Sequence, residues 1–285
     1  MNSVLRETNL AISELRKGNQ GNAQELFRRS ARNKPCCTTL NNLGVYYCQY
    51  GMLLKNGRIQ SALQLGIKCL LKASTEEHNW INHVNIGTAM AEANRVSFAL
   101  RFFSIAYEIN RNPLVLYNIG VCQFRLGMHQ KAADTFGLLC NEEDIEQILD
   151  NGGQNPLLIL AFCCWKLNKL EKCYQYVNMF RKNWPNEERY DVFSLRCFCH
   201  KYEAALSECN KLLDEWYPTN TMLAMISDCV QRTGHSAHNF SIPEDWEKLW
   251  KKLNVNDSFR IKQMENYAYF PPFVCMYHFI ESRGN

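Results

Sequence analysis

A triplet made of an asparagine, an aliphatic residue and a small residue returns along the first part of the chain. Its four occurrences begin at Asn9, Asn42, Asn85 and Asn118. Asn9 and Asn42 are 33 residues apart, and so are Asn85 and Asn118. A period of this length indicates that one supersecondary unit is stacked repeatedly, because a single unit cannot bury its own apolar face.

Two other kinds of residue recur in step with the triplet. A glycine or asparagine follows the small residue of the triplet by seven positions, as at Gly18, Asn94 and Gly127, with Gly57 filling the same role in the second unit. Such a residue suits the tight turn between two antiparallel helices. Further on, an alanine is followed after four residues by a phenylalanine, as at Ala99–Phe103. Helices that cross closely need a small side chain on one side and a bulky one on the other, and this pattern supplies both.

This pattern resembles the tetratricopeptide repeat, a helix–turn–helix unit of about 34 residues. The resemblance implies an all-α fold, an α-solenoid that forms a right-handed superhelix of about six units. The units begin near Glu7, Cys37, Trp80, Pro113 and Gln154, with a degenerate sixth unit around Val192 and a seventh first helix from Thr221 to Arg232.

Two segments interrupt the regular period. The second unit carries additional residues at 51–57, and residues 141–153 stand before the fifth unit. Within the second insertion, Glu142 to Leu149 predicts a short helix that ends at Gly152-Gly153.

The composition changes after residue 235, so we divide the chain into a repeat solenoid, 1–235, and a C-terminal region, 236–285. Ser241 and Glu244 have the spacing of a capping box. The apolar stripe that follows predicts a helix that caps the stack: Trp246, Leu249, Trp250 and Leu253. The end of the chain, 267–279, is densely aromatic, and Pro271-Pro272 forbids a continuous helix there. Three roles stay open for it: packing on the solenoid, contact with a second copy of the chain, and occupation of the groove.

The charge and cysteine content exclude several classes of protein. The balance of 32 basic and 28 acidic residues gives a net charge of +4, which is too weak to indicate a nucleic-acid partner. No apolar stretch is long enough to span a bilayer, and the first residues lack the apolar core of a secretion signal. Fourteen cysteines without a secretion signal are typical of a reducing compartment. We therefore expect a cytoplasmic protein without a membrane partner.

In the tetratricopeptide repeat, the first helix of each unit lines the concave surface, and the residue before the aliphatic–small pair points into it. The resemblance therefore places Asn9, Asn42, Asn85 and Asn118 in a groove. An asparagine amide offers an acceptor and donors, so it is able to pair with both the C=O and the N–H of an extended peptide. The alternative is that the asparagines are consensus residues that bond to a neighbouring helix or to water.

Four more residues are predicted to face the same groove, because they lie two helical turns beyond the asparagines: Arg16, Gln49, Glu92 and Arg125. Their signs are mixed, so they predict no strong preference for a charged ligand.

No catalytic residue, metal site or cofactor is predicted. Two loose groups contain metal-ligating residue types, one of Cys197, Cys199 and His200, the other of Cys229, His235 and His238. Neither has the paired spacing that a zinc site needs. No glycine loop for phosphate and no G-x-S-x-G motif occurs.

The sequence thus predicts a non-catalytic scaffold or adaptor that binds an extended segment of a protein or peptide partner in its groove. The alternative is a cytosolic peptide-sensing regulator of a toxin, nuclease or transcription system.

Overall fold

The computed structural model of the chain describes residues 3–50, 59–187, 189–215, 218–235 and 269–281, with the single positions 240, 248 and 251. Within these ranges the chain forms fourteen α-helices and no β-strand. In chain order they are α1 Ser3–Arg16, α2 Gln20–Asn33, α3 Cys37–Tyr50, α4 Ile59–Glu76, α5 Trp80–Glu92, α6 Val96–Ile109, α7 Pro113–Arg125, α8 His129–Gly137, α9 Glu142–Asp150, α10 Pro156–Lys166, α11 Leu170–Asn183, α12 Arg189–Phe198, α13 Tyr202–Glu215 and α14 Asn220–Thr233.

The helices belong to two compact units. The first unit comprises residues 1–128, 142–153 and 272–285, and the second comprises residues 129–141 and 154–271. In the first unit each helix from α1 to α7 packs against the next, and α9 packs on α7. In the second unit α10 packs on both α8 and α11, and helices α11 to α14 follow one another in the same way. The division into 1–235 and 236–285 stays a prediction, and the predicted capping helix lies outside the described residues.

The turns between the helices of a pair use one backbone conformation. Gly18 and Gly127 have φ of +83° and +74°, and Asn94, Asn168 and His200 have φ between +56° and +57°. This left-handed region is open to glycine and is more accessible to asparagine than to most residues. The recurring glycine or asparagine of the sequence therefore marks these turns as predicted. Gly57 lies outside the described residues, as does the insertion at 51–57.

The pairs of helices in the first unit are held at close range by small residues. A methyl group added to Gly87 would lie 2.7 Å from the ring of Phe103, and one added to Gly44 would lie 2.7 Å from Leu70 Cγ. Phe103 is fully buried. The predicted fit of small against bulky side chains is therefore present, with Leu70 in the place of an aromatic residue in the second pair.

The insertion before the fifth unit folds as the sequence predicts. Helix α9 begins at Glu142, with three acidic residues in its first turn, where the helix dipole favours negative charge. Gly152, at φ +77°, ends it. The amide of Gly153 then donates to the carbonyl of Ile148 at 2.9 Å, which turns the chain back over the helix.

None of the described helices is both long enough and apolar enough to cross a bilayer.

Replacing Gly87 by alanine should destabilise the chain by about 1–3 kcal/mol, because the new methyl group forces the Phe103 ring to move in a filled core. The midpoint of urea unfolding, followed by circular dichroism, measures this. Gly21→Ala is the matched control, since Gly21 lies in α2 with nothing within 4 Å of an added methyl group. It should be neutral or stabilising by up to about 1 kcal/mol. A Gly87→Ala chain as stable as the control would contradict the packing described.

Candidate functional site

Three asparagines of the predicted set align on the first helices of the first unit. Asn42 lies on α3, Asn85 on α5 and Asn118 on α7, and all three side chains are fully buried. We call the surface of α3, α5 and α7 that carries them the asparagine groove. What buries them is the chain itself: residues 272–281, the C-terminal segment, lie along the groove without helix or strand structure.

Each of the three amides makes two hydrogen bonds to the main chain of a single residue in this segment. Asn118 Nδ2 donates to the carbonyl of Val274 at 2.9 Å, and the amide of Val274 donates back to Asn118 Oδ1 at 2.9 Å. Asn85 forms the same pair with His278, at 2.8 and 2.8 Å. Asn42 forms it with Ile280, at 2.8 and 2.7 Å. The groove therefore holds the segment by main-chain groups that almost every residue type has.

The register of these bonds follows from the geometry of an extended chain. Alternate residues of such a chain present their N–H and C=O groups to the same edge. The three bonded residues, at 274, 278 and 280, are separated by even numbers, so they present the same edge of the segment to the three asparagines. We call Asn42, Asn85 and Asn118 the asparagine ladder, and each asparagine with its bonded residue a rung. The segment runs from α7 towards α3, opposite to the order of the helices in the chain.

A fourth asparagine, which the sequence analysis missed, orients two of the three. Asn41 Nδ2 donates to Asn42 Oδ1 at 3.1 Å and to the carbonyl of His278 at 3.2 Å. Asn41 Oδ1 accepts from Asn85 Nδ2 at 2.9 Å and from Asn82 Nδ2 at 3.1 Å. All of these amides are buried, and an amide with a fixed partner on each side cannot flip. The adjacent pair Asn41-Asn42 was the only local sign of this role.

Three of the four residues that lie two helical turns beyond the asparagines also contact the segment. Tyr277 Oη donates to Glu92 Oε2 at 2.7 Å. The guanidinium carbon of Arg125 lies 4.3 Å from the centre of the Phe273 ring, a cation–π contact. Arg16 forms an ion pair with Glu281.

The two remaining predicted residues have less direct places. Gln49 lines a cavity of about 520 Å³, which is also lined by Cys275 and Tyr277 of the segment. Asn9 lies half-buried on α1.

Aromatic contacts add to the hold on the segment. The Phe279 ring stacks on Phe27 with 5.5 Å between centres and 4° between planes. Tyr117 Oη donates to the carbonyl of Pro272 at 3.1 Å. In the second unit, Tyr269 stacks on Phe162 with 3.6 Å between centres and bonds to Gln154. These aromatic residues thus have contacts within the same chain, whereas Phe270 is 69% exposed. Contact with a second copy stays a prediction.

The titratable groups beside the segment are tuned by burial. Desolvation raises the pKa of the Glu92 carboxyl above its usual value, and the hydrogen bond from Tyr277 acts in the opposite direction. Burial raises the pKa of the Cys48 thiol to about 12. This cysteine is therefore a neutral thiol at physiological pH and not an activated nucleophile.

The two loose groups of cysteine and histidine have other partners. Cys197 Sγ and Cys229 Sγ lie 3.3 Å apart in the core of the second unit. His200 Nδ1 lies 2.7 Å from the hydroxyl of Tyr202, and His238 lies outside the described residues. In the described part of the chain, no three His, Cys, Asp or Glu side chains converge as metal ligands would.

Helices packed in successive pairs, with a residue of positive φ in the turn of a pair and a glycine where two helices pack closely, are typical of one class of fold. This class is the α-solenoid of tetratricopeptide type. Solved structures confirm this fold. A tetratricopeptide repeat protein from Parabacteroides merdae matches over 90% of this chain and 100% of its own, with a TM-score of 0.57 and 16% identity. PilF of Pseudomonas aeruginosa matches over 78% of this chain and 96% of its own, with a TM-score of 0.55 and 17% identity. At these identities the likeness establishes the fold alone.

No protein-family model matches the sequence, and no curated protein is significantly similar to it.

Replacing Asn41 by alanine should loosen one end of the C-terminal segment. The amides of His278 and Ile280 should exchange with solvent at least tenfold faster, because Asn85 and Asn42 lose the partner that fixes their orientation. The amide of Val274, held by Asn118, should change by less than about twofold. Hydrogen exchange resolved by residue measures both.

Asn151→Ala is the control for this substitution, since the Asn151 side chain is exposed and bonds only within its own helix turn, to the carbonyl of Gln147. Equal loosening at Val274 and Ile280 in the Asn41→Ala chain would show that Asn41 stabilises the unit in general and does not position the ladder.

Proposed function

We propose that this chain is a non-catalytic scaffold or adaptor that binds an extended segment of a partner protein in the asparagine groove. One observation carries the proposal: three buried amides each pair with the N–H and the C=O of a single residue. This is the chemistry that recognises a peptide main chain, and it makes little demand on the side chains.

The fold supports the same conclusion. Repeat solenoids present extended surfaces on which other polypeptides bind, and this fold is typical of interaction scaffolds. Presentation of a preformed surface requires no bond to be made or broken. The proposed partner is a protein or peptide, and we propose no cofactor.

In this proposal a ligand lies as the C-terminal segment does, and the segment competes with that ligand. A segment joined to its site by the chain acts at an effective concentration in the millimolar range. A partner therefore binds measurably only if it is tighter than the segment, or if the segment has been released. Each hydrogen bond contributes only about 0.5–1.5 kcal/mol net, because the freed amides and the freed main chain both regain water. Exchange of one segment for another is therefore energetically accessible.

All fourteen cysteines are free thiols. This supports our placing the protein in a reducing compartment, the cytoplasm.

The proposal predicts binding of a defined probe, the peptide of residues 272–281 with serine in place of Cys275, labelled with a fluorophore. We expect micromolar affinity for a released variant, the full-length chain with Val274→Asp and Met276→Asp, in which two buried side chains become charged. The wild-type chain should bind at least tenfold more weakly, because its own segment competes. Fluorescence anisotropy measures both affinities.

The matched control is the released variant with Asn42, Asn85 and Asn118 all replaced by alanine, checked for unchanged helicity by circular dichroism. It should bind the peptide at least a hundredfold more weakly, since six hydrogen bonds are lost. Undiminished binding would show that the three asparagines do not bind the peptide, and it would contradict the proposed function.

A second function, the peptide-sensing regulator, is favoured by the presence of a competing segment within the chain. In a regulator, exchange of that segment for a peptide would change the arrangement of the helices. X-ray scattering of the released variant with and without the peptide separates the two functions: a regulator changes its radius of gyration and a passive scaffold does not.

A further inference from the structure

We infer that the asparagine groove selects its partner by side chains as well as by main chain. The partner segment carries an aliphatic residue, then an aliphatic residue or methionine two positions later. An aromatic residue follows three positions after that. This inference rests on the proposed function and names the kind of segment that fits. It is taken from the three positions of the C-terminal segment that pack into the groove, Val274, Met276 and Phe279.

The first position, Val274, is bonded to Asn118 and only 1% exposed. Part of its site comes from the turn that follows α9. A methyl group added to Gly153 would lie 3.0 Å from Val274 Cγ2. The site is therefore already filled by a branched side chain, and a charged one would be buried there without a partner.

The second position, Met276, lies midway between the rungs at Asn118 and Asn85. Its side chain is only 2% exposed. It lies two residues beyond Val274 in the extended segment, so the two side chains lie on the same face of that segment. The four-residue interval between these two rungs thus contains a buried apolar site at its centre.

The third position, Phe279, packs on the core between α1, α2 and α3. Its ring stacks on Phe27, which is fully buried, and it contacts an apolar cluster that includes Ala11, Leu43 and Tyr46. A stacked aromatic pair contributes beyond the area it buries. An aromatic residue is therefore preferred at this position over an aliphatic one.

Cys275 and Glu281 exert little selection. Cys275 is an exposed residue between two buried ones. The ion pair of Glu281 with Arg16 joins side chains that are 52% and 71% exposed, and such surface pairs contribute little. Proline is excluded at the three rung positions, since each rung needs a main-chain N–H.

The test compares four peptides for binding to the released variant: the labelled peptide defined above, and the same peptide with aspartate at the position of Val274, of Met276 or of Cys275. We expect at least tenfold weaker binding for aspartate at the positions of Val274 and Met276, and less than threefold for aspartate at that of Cys275. The last peptide is the matched control, since it carries the same added charge at the neighbouring exposed position.

The outcomes distinguish side-chain selection from main-chain recognition. If all four peptides bind alike, side-chain selection is wrong and main-chain recognition stands. If none binds to a released variant that retains its helicity and in which the amides of residues 274, 278 and 280 exchange rapidly, the proposed function fails as well.

A second measurement needs neither a peptide nor the released variant. In the otherwise unchanged chain, Met276→Asp should raise the hydrogen-exchange rates of Val274, His278 and Ile280 at least tenfold. Cys275→Asp should leave them within about threefold of wild type. Equal effects of the two substitutions would overturn the inference.

Discussion

The close crossing of paired helices is the constraint on which the rest of the structure depends. Gly87 lets Phe103 approach to a distance that leaves no room for a methyl group, and Gly44 does the same for Leu70. The two glycines follow Asn85 and Asn42 by two positions each. The residue that sets the distance between the helices of a pair is therefore rigidly linked to the residue that faces the groove. The packing of the core therefore sets the spacing of the three asparagines. This is why three amides on three separate helices bond to the same edge of one extended segment.

Burying a side-chain amide is costly unless its donors and acceptor all have hydrogen-bond partners. Here nearly all of them do. Asn41 makes four hydrogen bonds, and Asn42, Asn85 and Asn118 each use both their donor and their acceptor on the segment. A network in this state specifies one arrangement sharply, because a slip of the segment by one residue would turn its N–H and C=O groups away from every rung. With the segment absent, the same amides would be free to bond to water.

Much of this arrangement could be predicted from local sequence patterns. What could not be predicted depends on contacts between residues that are distant in the chain. The positions of Asn42, Asn85 and Asn118, and of Glu92 and Arg125 two turns on, follow from helical periodicity and from the repeat. The turn residues follow from backbone sterics, so even His200 in a turn slot takes the left-handed conformation. Asn41 was missed because its role needs three helices at once. The path of residues 272–281 stayed one of three alternatives, because an aromatic stretch that begins after Pro271-Pro272 carries no periodic signal. Only the distant amides decide its register.

The hydrogen bonds of the ladder link residues that are far apart in the chain: Asn42 and Ile280 are separated by 238 positions. Ribosomes add about 5–20 residues per second. Helices α3, α5 and α7 are therefore complete roughly ten to thirty seconds before the residues that cover their amides have been synthesised. During translation every copy of this protein passes through a stage with a vacant groove, and a polypeptide present at that moment meets it without a tethered competitor. The order of synthesis thus gives the nascent chain a period in which the groove is accessible without the tethered competitor of the finished molecule.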